Sequence, residues 1–337
     1  MESAAILFRD KAKSDKYTDP LLNDHCAVES IPVLEHKYLL DAQSIQDVVD
    51  SHTSDHGGFA SLVFTSGNAV RALVQAVDLW LLLEGEDSHG GKSKREQWQQ
   101  ILDLPIFVVG QETQAVCRSL LFADRAETVG GIWGGECGCA SGLLPKIVEF
   151  GRHYSKARSD VHKPRLLFFS GDRRRSTIPD GIKESGAAEL VEVVAYTTVG
   201  RNIQDTRCDL IDSVNRIVAR GRTNAPNAAV LIWMVVFSPS GVRVVAPLLE
   251  ALAQESDPLL IPANTLADVN KSHSISTGST AASSDVFYGY AAIGEATMME
   301  LASRGCADSV VTTQADMPNP LGICNAIRNK MSSVDAQ

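Results

Sequence analysis

Val230-Leu-Ile-Trp-Met-Val-Val-Phe237, followed at once by Ser238-Pro239-Ser240-Gly241, is the stretch on which the fold class turns. The run is apolar without alternation and rich in Val and Ile, as a strand covered on both faces has to be. Taken from Ala228 to Phe237 it is the longest apolar run in the chain. It is still far short of the roughly twenty residues that a membrane-spanning helix needs. Ser238 caps a helix and Pro239 suits its first turn, so the segment predicts buried strand, tight turn, helix.

The same grammar recurs along the chain. Ala5–Phe8, Ser61–Phe64, Ile106–Val109, Arg165–Phe169, Leu190–Tyr196 and Tyr288–Ile293 are further short apolar runs. Most of them pass directly into a small or capping residue: Thr65-Ser66-Gly67-Asn68, Gly110-Gln111-Glu112-Thr113, Ser170-Gly171-Asp172 and Gly294-Glu295-Ala296-Thr297. Such residues accept hydrogen bonds from the free amides of a first helical turn. Apolar strands alternating with helices predict an α/β fold with parallel sheets.

The pattern also occurs twice. Ala5 to Asp10, Val28-Glu29 to Tyr38, Val63-Phe-Thr-Ser66 and Val108-Val-Gly110 form one ordered set. Leu166 to Asp172, Val191-Glu192 to Thr198, Val236-Phe-Ser-Pro-Ser240 and Ala292-Ile-Gly294 form the other, and each set ends in a helix, Ala140–Val148 or Leu321–Ile327. A period near half the chain is too long for a solenoid and predicts two similar flavodoxin-like domains. Lys11 to Ser30 looks short for a complete helix with turns, so the first copy is expected to be eroded there. Glu84–Gln97 and the Ser/Thr-rich Asn270–Asp285 read as surface loops, and Gly130-Gly-Ile-Trp-Gly-Gly135 as a loop beside a pocket.

Composition narrows the function. The 337 residues are 44% hydrophobic and 21% charged, ordinary for a globular protein, with a net charge of −10 that argues against a nucleic-acid binder. The seven cysteines are odd in number and irregularly spaced, which fits reduced thiols in a cytosolic protein. Cys137 and Cys139 share a glycine-rich stretch, but no second Cys pair or His-x-x-x-His accompanies them, so no metal site is expected. The histidines form no set, and neither a Gly-x-Ser-x-Gly elbow nor a Walker ending appears, so no cofactor is expected. A strand beginning at Ala4 leaves no room for a targeting peptide, and the chain is expected to be a cytoplasmic monomer without membrane partners.

The ordered motifs resemble the uroporphyrinogen-III synthases (HemD family) over nearly the whole chain. The residues that carry the resemblance are Phe169-Ser-Gly-Asp-Arg-Arg-Arg175 with Ile178-Pro179, Val191–Val199 with Tyr196, and Val236-Phe-Ser-Pro-Ser-Gly241. Leu62-Val-Phe-Thr-Ser66, Val108-Val-Gly110 with Thr113, Ala292–Thr297 and Pro318-Asn-Pro320 complete the set. The resemblance implies that sequence copies and spatial domains differ. One domain would join residues 1–35 to 200–330 and the other would span 40–195, with two extended linkers near 35–40 and 195–201 serving as a hinge. It also implies a cofactor-free lyase acting on hydroxymethylbilane, a linear tetrapyrrole with eight carboxylates. Loss of the terminal hydroxide, a spiro intermediate and reclosure with ring D inverted would follow.

Ligands of doubly wound sheets bind outside the carboxyl ends of the strands. The sequence places Thr65, Ser66, Gly110, Thr113, Gly171, Asp172, Ser238, Ser240, Gly294 and Thr297 there, and these are the candidate substrate-binding residues. Each is also a cap that any α/β fold requires. Arg173, Arg174, Arg175, Arg9 and Arg243 stand beside the same turns, either as solvated side chains or as carboxylate clamps. By the resemblance Tyr196 is the candidate catalytic acid, with hinge packing as its alternative role. A two-lobed binding protein without catalysis and a nucleotide-dependent enzyme are the rival readings.

Overall fold

Strand and helix alternate from the first described residues onward. The chain opens with β1 (Glu2–Phe8), α1 (Lys11–Leu22) and β2 (Ala27–Ser30), and β3 (Leu34–Tyr38) follows. Next come α2 (Ala42–Thr53), β4 (Phe59–Phe64), α3 (Gly67–Leu82), α4 (Lys94–Leu102), β5 (Ile106–Val108) and α5 (Gly110–Leu121). The middle of the chain adds β6 (Ile132–Trp133), a 3-10 turn (Gly135–Cys137), α6 (Ala140–Arg158), β7 (Arg165–Gly171), α7 (Thr177–Ser185) and β8 (Glu189–Gly200). It closes with α8 (Ile203–Asn224), β9 (Val230–Val236), α9 (Pro239–Ala253), β10 (Ile261–Pro262), β11 (Val286–Ala292), α10 (Glu295–Ser303), β12 (Thr312–Gln314) and α11 (Pro320–Ser332). The structure is a computed structural model that describes residues 2–23, 27–54, 57–83, 93–123, 130–158, 163–224, 229–255, 260–263, 286–306 and 311–332. Among these, no helix is long and apolar enough to cross a membrane.

The chain divides into two units, unit 1 being Met1–Glu35 with Val199–Gln337 and unit 2 being His36–Thr198. In unit 2 the strand order is β3-β8-β7-β4-β5-β6. The pairs β4–β5, β4–β7, β5–β6 and β7–β8 are all parallel. From β4 the chain steps out to β5 and β6, then comes back to β7 on the other side of β4, so the order reverses between β4 and β7. In unit 1 the order is β10-β11-β9-β1-β2, with β12 also on β11. There the reversal falls between β1 and β9, which pair in parallel from Glu2↔Val230 to Phe8↔Val236.

Burial explains why these segments are strands. Every residue of β4 and β9 is buried, so each large side chain contributes about 1.5–3 kcal/mol on leaving water. Helices cover both faces of each sheet, as parallel strands require. In unit 2, α2 to α5 pack on one face through Ile45, Leu73, Trp98 and Cys117, and α6 and α7 on the other through Leu143, Ile147, Ile178 and Ile182. Phe64 and Phe169, at the ends of β4 and β7, stack with ring centroids 5.3 Å apart and planes at 9°. That stack lies beneath the turns that follow the two strands.

Three expectations need correction. Lys11–Leu22 is a complete helix, with Tyr17 and Leu21 buried and Ser14 Oγ donating to Asp10 O at 2.9 Å, so the first copy is not eroded. The polar stretch before Gln97 becomes helix at Lys94, because Ser93 and Glu96 cap each other's backbone amides reciprocally. Gly130–Gly135 is not a free loop: Ile132 and Trp133 pair with β5 as an edge strand. Gly134 is required by its positive φ of 95° and by Val108 O, which a Cβ there would meet at 2.5 Å. Asn270–Asp285 lies outside the described residues.

Candidate functional site

The reversal point of unit 2 holds a recess of about 360 Å³ at the carboxyl ends of β4, β7 and β8. Thr65 and Ser66 from the turn after β4, Gly171 from the end of β7 and Tyr196 from β8 form part of its wall. Ser66 is the N-cap of α3 and its Oγ accepts from Asn68 N–H at 3.2 Å. Arg173, Arg174, Arg175, Thr177 and the start of α6 from Gly138 to Ser141 complete the rim.

Tyr196 reaches the recess because β8 is irregular there. The register runs Ser170↔Val194 and then Gly171↔Tyr196, leaving Ala195 as an extra residue. Such a bulge re-aims the next side chain. Opposite it, Gly171 leaves space for the ring: a Cβ at that position would lie 2.7 Å from Tyr196 Cζ and 2.9 Å from its hydroxyl. His36 packs edge-on to the same ring with centroids 5.4 Å apart. The Ala195 carbonyl is not lost, since it accepts Leu39 N–H at 2.9 Å.

The three arginines do different things. Arg174 makes a bidentate pair with Glu192, whose Oε1 also accepts from the buried Ser170 Oγ at 2.7 Å. The Arg174 bond first, helped by Ser170, holds the Glu192 carboxyl below the usual range. Arg173 and Arg175 are exposed on the rim and make no salt bridge among the described residues. Asp172 turns away from the recess. Its carboxylate accepts from Thr197 Oγ1 at 2.5 Å and Thr198 N–H at 3.4 Å, so it ties the end of β7 to β8. The Thr197 bond is the main reason its carboxyl is held low.

The other candidates are not among the residues that line this recess. Gly110 begins α5 with φ 81°, and Thr113 is buried in the same helix; neither lines the recess. Ser238, Ser240, Gly294 and Thr297 belong to unit 1. Ser238 Oγ accepts from Gly241 N–H at 3.1 Å, Ser240 stands in the first turn of α9, and the Gly294 carbonyl accepts from Thr297 N–H at 3.1 Å. Arg243 is held by Glu300 through two 3.1 Å bonds. The sequence reading passed over Thr177 and Ser141, and it weighed Cys139 only as a metal ligand. Cys139 directly precedes α6, where an oxygen-bearing cap is usual, and its thiol is exposed with Sγ 3.1 Å from Ser141 Oγ.

No group of three or more metal-ligating side chains occurs among the described residues. Chemically, the recess offers a phenol, hydroxyls and two exposed guanidinium groups, which suits an anionic ligand with a group to be protonated.

Comparison with known proteins adds an independent line. The family model described as uroporphyrinogen-III synthase HemD matches residues 26–282. Among solved structures, a mutant uroporphyrinogen III synthase from the extremely thermophilic bacterium Thermus thermophilus aligns over 100% of both chains, at 12% identity and a TM-score of 0.38. No curated protein matches the chain.

Proposed function

The chain belongs to the uroporphyrinogen-III synthase family, and on that footing we propose that the recess of unit 2 grips the linear substrate while its ring closes. The reaction is the cofactor-independent closure of hydroxymethylbilane with ring D inverted. The terminal hydroxide leaves as water, ring D is attacked at its substituted carbon, and the spiro intermediate reopens and recloses.

One observation supports the placement best. At the point where an open parallel sheet should bind a ligand, the recess combines Thr65 and Ser66 with two arginines that make no salt bridge among the described residues. Arg173 and Arg175 would each take a propionate or acetate group of the substrate in a charge-assisted hydrogen bond. Tyr196, held against Gly171 by the bulge, would donate a proton to the departing hydroxyl. Ser238, Ser240, Gly294 and Thr297 are proposed as candidate substrate-binding donors at the strand ends of unit 1. Gly110, Thr113 and Asp172 act on this reading as supports for the turns. Holding the two ends of a reactive chain in one geometry supplies most of what this reaction needs.

The test is an assay with freshly prepared hydroxymethylbilane and no added cofactor. Formation of the type III ring supports the reading, and formation of the type I ring alone overturns it. The reading extends to a cytoplasmic location, supported by the seven scattered cysteines, and to a monomer, which light scattering on the purified chain tests.

A further inference from the structure

Two thiols flank Gly138 on the approach to α6, and they have opposite surroundings. Cys137 is half-buried against the core beneath α6, where burial first and Glu136 second push its thiol up. Cys139 is exposed on the recess wall beside Ser141, Arg173 and Arg175. Its carbonyl accepts Leu143 N–H at 3.2 Å, so it occupies the cap of a 19-residue helix. The Ser141 hydroxyl first, then the Gly142 amide and Arg175, draw the Cys139 thiol below its usual range. Among the thiols of the described residues this one therefore joins access, a nucleophilic form and neighbouring cations.

We infer that Cys139 is a thiolation site, at which a small disulfide bearing carboxylates forms a mixed disulfide that plugs the recess. The Cys139 thiolate attacks one sulfur of the reagent, and the reagent's S–S bond breaks as the new one forms. The other half leaves as a thiolate and takes up the proton that Cys139 gave up. One protein thiol is oxidised and half of the reagent is reduced, so no further oxidant enters. Arg173 and Arg175 draw the reagent's carboxylates to the rim. Cys137, half-buried and with its thiol pushed up, is the poorer nucleophile and does not displace the attached group. The regulatory half of the inference rests on the reading that this recess holds substrate.

The test treats the full, reduced chain with glutathione disulfide and maps the modified peptides by mass spectrometry. Cys208 is the internal reference, because it is also exposed but does not line the recess. Thiolation at Cys139 is expected to be at least about tenfold faster than at Cys208, because only Cys139 shares the recess with Arg173 and Arg175. Synthase activity should fall in step and return on reduction with dithiothreitol. Cys139→Ser, measured against its own untreated sample, should lose none. Equal rates at Cys139 and Cys208 would overturn the site. Selective thiolation with ring closure intact would overturn the plug, while loss of synthase activity in the Arg173 and Arg175 variants would still uphold the recess as the substrate site.

Discussion

In unit 2 the strand order turns back between β4 and β7, and the gap there is open. In unit 1 it turns back between β1 and β9, and the same place is filled by Arg9. The Arg9 guanidinium lies 4.4 Å from the centroid of Phe237 and 4.9 Å from that of Tyr17, and its Nε is buried without a hydrogen-bond partner among the described residues. Both units use a serine to cap the helix that follows, Ser66 and Ser238. The caps therefore do not distinguish a binding site from a scaffold. What differs is the residue at the strand end: Gly171 leaves room for the recess and for Tyr196, whereas Phe237 and Arg9 occupy that room themselves.

The comparison breaks most readily at Arg173 and Arg175. Replacing both by Ala should lower kcat/KM about a hundredfold or more, because each lost bond to a charged group is worth roughly 1.5–3 kcal/mol. The melting temperature should barely move, since neither side chain makes a salt bridge among the described residues; a large drop would make them structural. Gly171→Val would make unit 2 resemble unit 1 by filling the gap. Its Cβ would meet the Tyr196 ring at 2.7 Å, and overpacking of this kind costs about 1–3 kcal/mol. Turnover should fall at least tenfold, and urea unfolding should report the strain.

Tyr196→Phe keeps the ring and removes the proton. Turnover should drop roughly tenfold without vanishing, at the low end for a general acid because a phenol is a weak one at neutral pH. Full activity would reduce Tyr196 to packing.

Glu192→Gln probes the support behind the arginines. The folded pKa of Glu192 is held low by Arg174 first, so the pair's stabilisation is complete above the unfolded glutamate value, near 4.3. It is lost as pH falls through the lower folded value. The variant should flatten stability across that acid window and cost about 1 kcal/mol or less at neutral pH, the usual worth of a partly exposed pair.

Arg9→Ala should cost about 1 kcal/mol, the scale of a cation–π contact, and leave ring closure nearly unchanged. A substantial loss of activity would erase the contrast between the two gaps.

Much of this was legible in the chain. Unbroken apolar runs such as Val230–Val236 showed which segments are strands, and the capping residues after them marked their carboxyl ends. What escaped has physical causes. Among its described side chains, helix α1 buries Ser14, Tyr17 and Leu21, too few apolar positions for a clear period. Helix α4 carried a readable cap in Ser93 and Glu96, overshadowed by its charge. The bulge at Ala195 leaves no mark in a run of β-formers, because register is a property of two strands. Nor does Cys139 announce itself, since a thiol at a helix start becomes distinctive only once Arg175 and the recess are in place.

The route of the chain through unit 1 has a consequence for synthesis on the ribosome. Strand β1 needs β9, and Glu2 pairs with Val230, so β1 waits for more than two hundred residues before this partner emerges. At ordinary rates of about 5–20 residues per second that wait lasts on the order of ten seconds or longer. Throughout it the apolar Ala4–Phe8 segment, wholly buried in the finished protein, has one side unpaired. Unit 2, being continuous, can complete its sheet in the meantime. The nascent chain is thus vulnerable to aggregation at β1, and a chaperone acting there would aid yield without touching the recess of unit 2.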